Sequence, residues 1–454
     1  MNLQAYLSYK PSGVEWLGDL PEHWDVKRGR FVMKVNPPSP RMRELRSDDE
    51  VSFIPMEDLG VEGGINLDQT RIVGEVLGGY TEFQDGDVVV AKITPCFENG
   101  KAALATGLRN GAAFGTTELH VLRAGPDIEK KFLFYVVISN LYRKLGEAEM
   151  YGAGGQKRVP SEFNKDFRTP LPSRSEQQAI ATFLDRETGR IDNLVTKKRE
   201  LIERLNEKRI ALISRTVTRG LPPEAGRTAN LPENPPLKPS RYDWLGDIPK
   251  HWDVLAYKRL CTRVDVGIAE AATHAYCDDG IPIIRSTNVR PNKLDTSDVL
   301  RIEPWFAEKN QTKTLRTGDL VTVRTGYPGT TAIIPEEFDG CQCFTLVVSS
   351  PRQTTHGPYF SWLMNSKQGA TYFEMEGWGT AQTNISVPIV QFMPVPRPPL
   401  AEQVAIADYL DKETSKLDSM MEKAQEAIER IHEFRIALIT AAVTGKIDVR
   451  KAVS

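Results

Sequence analysis

The chain has 454 residues, about three times the ~150 of an ordinary domain, so it is not one small module. Hydrophobic residues make up 40% and charged residues 26%, which excludes a chain disordered throughout. Lysine and arginine number 58 against 60 acidic residues, a formal charge of −2, which argues against a packager coated in positive charge but leaves local basic clusters open.

Met1 to Lys10 has no basic-then-apolar run ending in a small-residue cleavage site, so no signal peptide is expected. No window approaches ~18 consecutive apolar residues, so no transmembrane helix is expected either. The five cysteines (Cys96, Cys261, Cys277, Cys341, Cys343) are odd in number and scattered, which suits reduced thiols in a cytoplasmic protein. Cys341 and Cys343 would share one face of a strand. Without a second Cys or His pair nearby they read as small core residues rather than zinc ligands.

Internal similarity decides the architecture. Trp16-Leu-Gly-Asp-Leu-Pro-Glu-His-Trp-Asp-Val26 returns as Trp244-Leu-Gly-Asp-Ile-Pro-Lys-His-Trp-Asp-Val254, nine of eleven positions identical at an offset of 228. Glu176-Gln-Gln-Ala-Ile-Ala-Thr-Phe-Leu-Asp185 returns as Glu402-Gln-Val-Ala-Ile-Ala-Asp-Tyr-Leu-Asp411, and Arg209-Ile-Ala-Leu-Ile213 as Arg435-Ile-Ala-Leu-Ile439, both at 226. Two copies of one unit of about 225 residues fill the chain, a period too long for a solenoid.

Each copy runs in the same order. After the Trp-His-Trp island come short β-like runs, among them Asp87 to Ile93 and Asp319 to Arg324, each entered through a Gly-Asp turn at Gly86 and Gly318. The middles otherwise share little sequence. A proline joint follows (Pro170-Leu-Pro172; Pro394 through Pro399), and then a long helix. Ser175 with Gln178 predicts a capping box on the first helix, which the second copy lacks. Gly220 and Gly445 supply the stops. Between them, Ile191, Leu194, Lys198, Leu201, Leu205, Lys208 and Leu212 are spaced 3, 4, 3, 4, 3, 4, and their counterparts are Leu417, Met420, Ala424, Ala427, Ile431, Phe434 and Leu438. That register predicts two helices of ~35–40 residues packed on each other, roughly 50–60 Å long; two amphipathic helices each packed on its own domain is the alternative. Residues 221–239 are Pro-rich without periodicity and read as an extended linker.

The sequence shows no catalytic constellation. Asn36-Pro-Pro-Ser39 lacks the aromatic fourth residue and the glycine-rich cofactor loop of an amino-methyltransferase. Asp127, Glu129 and Lys131 lie too close together for a nuclease metal site. Gly445-Lys446 lacks the remaining residues of a phosphate-binding loop. His23 and His251, each beside a tryptophan, read as packed, hydrogen-bonded histidines, and the tryptophan pairs as core anchors.

The order Trp-Leu-Gly-Asp-x-Pro-x-His-Trp-Asp-Val, a variable stretch, a proline joint, Glu-Gln-x-Ala-Ile-Ala-x-x-Leu-Asp and a long helix, all twice, resembles the specificity (S) subunit of type I restriction-modification systems. The resemblance covers essentially the whole chain. It implies an α+β fold with two homologous mixed α/β target-recognition domains separated by a long antiparallel two-helix coiled coil, an internal pseudo-twofold duplication. The domain boundaries expected are 1–172 and 240–399 for recognition and 173–220 and 400–454 for the helices. The family is not itself enzymatic. The resemblance implies double-stranded DNA as ligand, with two methyltransferase (M) subunits binding S-adenosylmethionine and two motor-nuclease (R) subunits using ATP and Mg²⁺ as partners. A self-contained DNA methyltransferase or nuclease is the alternative, and it would need the cofactor loop or metal triad that the sequence lacks. Two recognition domains facing opposite ways along a duplex would read two half-sites about one helical turn apart, and divergent middles predict different half-sequences.

Candidate DNA contacts come from two places. Gly152-Ala-Gly-Gly-Gln156-Lys157-Arg158 falls, at the offset of 226, within the stretch that runs from Gly377 through Ala381 and on to Gln382, Thr383 and Asn384. Glycine permits close approach, Gln and Asn pair with an adenine edge, and Lys or Arg holds phosphate or guanine; a turn that only orients the next strand is the alternative. Lys92, and Arg324, Thr325 and Tyr327, follow the matched β runs and would present a basic or aromatic tip, a solvated hairpin being the alternative. Residues 186–220 carry ten basic against five acidic side chains, and Lys197, Lys198 and Arg199 are the candidates for a phosphate-facing stripe. The helix-interface candidates are the apolar members of the two heptad series.

Overall fold

The computed structural model describes residues 4–61, 63–153, 155–270, 273–377 and 384–450. It divides into two units, Met1–Lys198 with Gln425–Ser454, and Arg199–Ala424. Each unit is therefore one copy's domain together with half of each long helix.

In the first unit a four-stranded sheet runs in the order Met33–Val35, Leu119–Ala124 (β2), Val88–Ala91 (β1), Ala102–Leu104. In the second unit the order is Cys261–Val266, Val347–Pro351 (β4), Leu320–Thr322 (β3), Thr331–Ile333, the same arrangement from matched strands. All four residues of β1 are buried, as an apolar run of this length predicts for a strand covered on both faces. The Gly-Asp turn before it places Asp87 inside, where Arg123 donates Nε and Nη2 to the carboxylate at 2.7 Å each. Asp319 is buried likewise, with Arg263 Nη2 at 3.2 Å. Each unit also has a second four-stranded sheet containing one parallel pair, Glu50–Ile54 with Ala112–Gly115 and Ile281–Ile284 with Gln342–Cys343. Cys341 and Cys343 are buried in that region, and burial pushes the Cys341 thiol up to about 12.

The long helices are Arg174–Arg219 (α1) and Leu400–Val443 (α2), 46 and 44 residues. At ~1.5 Å per residue they measure roughly 69 and 66 Å, longer than the spacing of the apolar series alone predicts. The first cap differs from expectation. Ser173, not Ser175, accepts the Glu176 N–H, at 3.4 Å, and Ser175 already lies inside the helix. The adjacent glutamine is a clip in both copies. Gln177 Nε2 donates to the Pro172 carbonyl and its Oε1 accepts Glu129 N–H, while Gln403 does the same with Pro398 and His356. Pinning each helix start to its domain in this way pairs both the nitrogen and the oxygen of the buried Gln177 and Gln403 amides.

The helix ends are closed by the other copy. In the first unit the Gly445 carbonyl accepts Tyr9 OH at 3.1 Å, and Lys446 Nζ donates to the Asp19 carbonyl at 2.7 Å. In the second, Tyr359 OH donates to the Val217 carbonyl at 2.8 Å. Gly445 (φ +69°) fits where a Cβ would come within 2.5 Å of Pro21, so glycine serves both the stop and the close approach. Residues 221–239 are not uniformly extended. Pro222 and Pro223 open a short helix, Pro223–Thr228, proline at the first helical position being favourable, and Leu237–Pro239 pairs with Asp247–Pro249.

Within each unit the helix segments run antiparallel. In the first unit Arg435 lies 3.5 Å from Asp192, and Arg450 is 3.9 Å from Glu176. In the second, Arg209 Nε donates to Asp418 at 2.9 Å, while the α1 end at Gly220 faces the Glu402 side chain. The offset of 226 carries Arg209–Asp418 onto Arg435–Asp192.

The seam is one residue out of the expected register at alternate positions. Ile191, Leu205, Leu417 and Leu438 are buried, and Leu212 and Ile431 are half-buried, as expected. Leu194 (45% exposed), Leu201 (43%), Met420 (51%) and Phe434 (55%) are not in it. Ala424 is buried as expected, and the other inward positions are instead Val195, Ile202, Met421, Ile428 and Arg435, so the spacing reads 4, 3, 4, 3. Arginine is admitted at this depth because its carboxylate partner comes from the facing helix. Leu205→Ala is therefore expected to cost about 2–3 kcal/mol in urea unfolding, whereas Leu201→Ala should stay within about 1 kcal/mol.

Candidate nucleic-acid interface

In the first unit β1 runs directly into Lys92. Lys92 donates its N–H to the Glu118 carbonyl at 2.9 Å and accepts from Val159 N–H at 2.8 Å. Thr94 N–H donates to the Lys157 carbonyl at 3.0 Å, and Arg158 pairs with Ile93 on one side and Tyr151 on the other. The strand end and the glycine-rich loop, some sixty residues apart in sequence, thus form one surface. Gly152 (φ +144°) sits where a Cβ would lie 2.5 Å from the Gln156 carbonyl, so the loop turn requires glycine. Gln156 and Lys157 are exposed; Lys92 and Arg158 are half-buried.

Arg158 is held as a fork on Glu118, with Nη2 to Oε1 at 2.7 Å and Nε to Oε2 at 2.9 Å. These bonds from the guanidinium hold the Glu118 carboxyl below its ordinary value of 4.5. Behind them, burial lowers His120, whose Nε2 lies 2.8 Å from the Val159 carbonyl. Because the folded value of Glu118 is depressed, the pair contributes fully above the ordinary value, and that contribution is lost as pH falls through the depressed one. Glu118→Gln is expected to lower stability at neutral pH and to flatten its decline between about pH 5 and pH 3, read by urea midpoints across that range.

The second unit builds the same junction from other side chains. The Arg324 carbonyl accepts Ile385 N–H at 3.0 Å, the counterpart of Lys92 with Val159, and Arg324 Nε donates to the Ile385 carbonyl at 3.1 Å. Thr325 pairs with Asn384 along the backbone, and its hydroxyl bonds the Asn384 side chain. Tyr327 stands beyond them in the hairpin loop. Gln382 lies outside the described residues. Among the basic helix candidates Lys197 and Arg199 are exposed, and Lys198 is half-buried.

Two participants were not read from the sequence. Glu118 carries no motif that ties it to an arginine forty residues on, and the exposed Tyr151 adjoins the glycine run without a motif of its own. The island histidines are structural: His23 Nε2 lies 2.9 Å from Glu176 and His251 Nε2 3.0 Å from Glu402, beside the buried Trp24 and Trp252. Among the described residues no group of three or more His, Cys, Asp or Glu is placed to hold a metal ion, and no helix is long and apolar enough to cross a membrane.

Residues 21–204 and 269–430 match the type I restriction modification DNA specificity domain family. The chain belongs to that family. It is 38% identical over 164 residues to the EcoEI specificity subunit and 40% identical over 164 residues to the EcoAI specificity subunit, both of Escherichia coli type I restriction enzymes. Each alignment covers 36% of this chain and only 27% of the relative's length. The MjaVIII specificity subunit of Methanocaldococcus jannaschii aligns along 95% of this chain and 94% of its own, at 22% identity. The fold is shared with a chain from a study of assembly and conformational transition of the type I R-M system (TM-score 0.72, 16% identity, 93% and 98% covered). It is shared too with the HsdS subunit from Thermoanaerobacter tengcongensis (TM-score 0.58, 17% identity, 94% and 98% covered).

Proposed function

We propose that this specificity-domain protein is the non-catalytic DNA-recognition subunit of a type I restriction-modification complex, reading a bipartite duplex target with one half-site per recognition domain. The observation that carries this reading is the repeated junction. Lys92 with Val159, and Arg324 with Ile385, make the same backbone pairing in the two units, yet the first junction carries Gln156, Lys157 and Arg158 and the second carries Thr325, Tyr327 and Asn384. A constant frame carrying different donors and acceptors is what two different half-sequences require. Lys92, Gln156, Lys157, Arg324, Thr325, Gln382 and Asn384 are assigned to base or phosphate contact. Arg158, tied to Glu118, holds the loop that presents Gln156 and Lys157.

The near-neutral charge of the chain fits a reader whose partners clamp the rest of the duplex. Those partners are two methyltransferase subunits bringing S-adenosylmethionine and two motor-nuclease subunits bringing ATP and Mg²⁺. Leu194 and Met420 support a partner that comes twice, because they are counterparts by the 226 offset and both lie exposed beside the seam. Co-expression with a type I methyltransferase subunit, followed by methylation-sensitive sequencing, should yield one hyphenated motif with unlike halves. A complex that forms and methylates without sequence preference would overturn the assignment.

A further inference from the structure

Tyr151 is 68% exposed and Tyr327 83%, the two most exposed tyrosines among the described residues. Both rings are carried on fixed backbone. Tyr151 exchanges backbone hydrogen bonds with Arg158 at 3.2 and 2.9 Å, and Arg158 is itself locked on Glu118. The Tyr327 carbonyl accepts Thr330 N–H at 3.2 Å inside a loop closed by Val323 N–H to the Thr330 carbonyl at 2.8 Å. Gly329 in that loop lies where a Cβ would come within 2.2 Å of the Phe373 ring. A large apolar ring held in water on a stiff loop contributes nothing to folding, since its area stays hydrated.

The two positions are not sequence counterparts. The offset of 232 places Pro95 where the second copy has Tyr327, and the offset of 226 places Gly377 where the first has Tyr151. Each unit nevertheless presents one exposed tyrosine at the same two-loop junction, the first from its second loop and the second from its first.

We propose that Tyr151 and Tyr327 are functional counterparts, each setting its ring against a base step in one half of the DNA target. The proposal rests on the recognition reading above. An exposed aromatic ring gains by stacking on a partly opened base step, and pyrimidine–purine steps open most easily. The neutral phenol displaces no counterion, so the contact adds specificity without adding to salt dependence. Because the rings enter from different loops, the steps they read fall at different places in the two halves.

The test uses the full chain bound to its methyltransferase partner and selection from a random duplex pool. Wild type is compared with Tyr151→Ala, Tyr151→Phe, Tyr327→Ala and Tyr327→Phe, with melting temperatures as the folding control. Each alanine variant is expected to relax one half of the motif only, the opposite half for each tyrosine, and to weaken binding roughly tenfold to a hundredfold. The phenylalanine variants should retain the motif, and the slope of log affinity against log salt should not change. Alanine variants that keep both halves and bind within twofold of wild type would overturn the proposal, as would loss in the phenylalanine variants or a reduced salt slope, which marks a phosphate contact. A wild-type complex that enriches no bipartite motif would instead overturn the recognition reading itself.

Discussion

Trp252→Ala is expected to destabilise the second unit by about 3–5 kcal/mol and to lower its melting temperature by roughly 10 °C, measured by calorimetry. The indole is fully buried, and its Nε1 donates to Glu402 at 3.0 Å, so the substitution opens a cavity and removes a donor from a buried carboxylate. Glu402 is the hub of that corner: His251 lies against the same oxygen, and Gly220 at the end of α1 comes up beside it. The first unit solves the same problem with different atoms. Trp24 is equally buried, but its Nε1 has no partner among the described residues, and Tyr6 OH donates to Glu176 at 2.8 Å instead. Trp252→Phe should therefore cost about 1 kcal/mol more than Trp24→Phe, the difference being the one hydrogen bond. Equal losses for the two phenylalanine variants would show that the indole bond contributes nothing.

Lengthening both long helices by one heptad should move the two half-sites apart without altering either. The chain passes between units at Lys198–Arg199 and again at Ala424–Gln425, positions 226 apart, so seven residues inserted at both keep the Arg209–Asp418 and Arg435–Asp192 pairings within their own units. Seven residues add roughly 10 Å of helix, equivalent to about three base pairs. The methylated motif should keep both halves and gain about three unspecified positions, read by methylation-sensitive sequencing. An unchanged gap would reject the helices as the spacing element. Insertion in one helix alone should destabilise the chain instead, because it throws the antiparallel seam out of register.

The duplication, the Gly-Asp turns before β1 and β3 and the glycine stops at Gly220 and Gly445 were all legible, because each depends on local chemistry or on repetition. The seam was half legible. Leu194-Val195 and Leu201-Ile202 are adjacent apolar pairs, so a 3, 4 series and a 4, 3 series both run through them. The residue that separates the two series is Arg435, with Arg209 as its counterpart. An arginine argues against an inward position until the facing Asp192 or Asp418 is known, and that pairing is tertiary. The same limit hid Glu118 behind Arg158. The cap moved from Ser175 to Ser173 because two serines, two residues apart, both satisfy the local rule, and only the path out of the proline joint chooses between them.

The binding candidates came from two segments that the sequence offered separately, the strand ends and the glycine-rich loops. What sequence could not supply was that Lys92 pairs with Val159, and Arg324 with Ile385, so that each unit has one junction rather than two loose features. That the junction repeats while its side chains differ is the central claim, and repeating the first copy tests it most directly. A chain carrying residues 1–226 twice, co-expressed with a type I methyltransferase subunit and read by methylation-sensitive sequencing, is predicted to direct methylation to an inverted repeat of one half of the wild-type motif. Methylation of the unchanged asymmetric motif, or of a motif sharing neither half, in the presence of a correctly folded duplicate would contradict it.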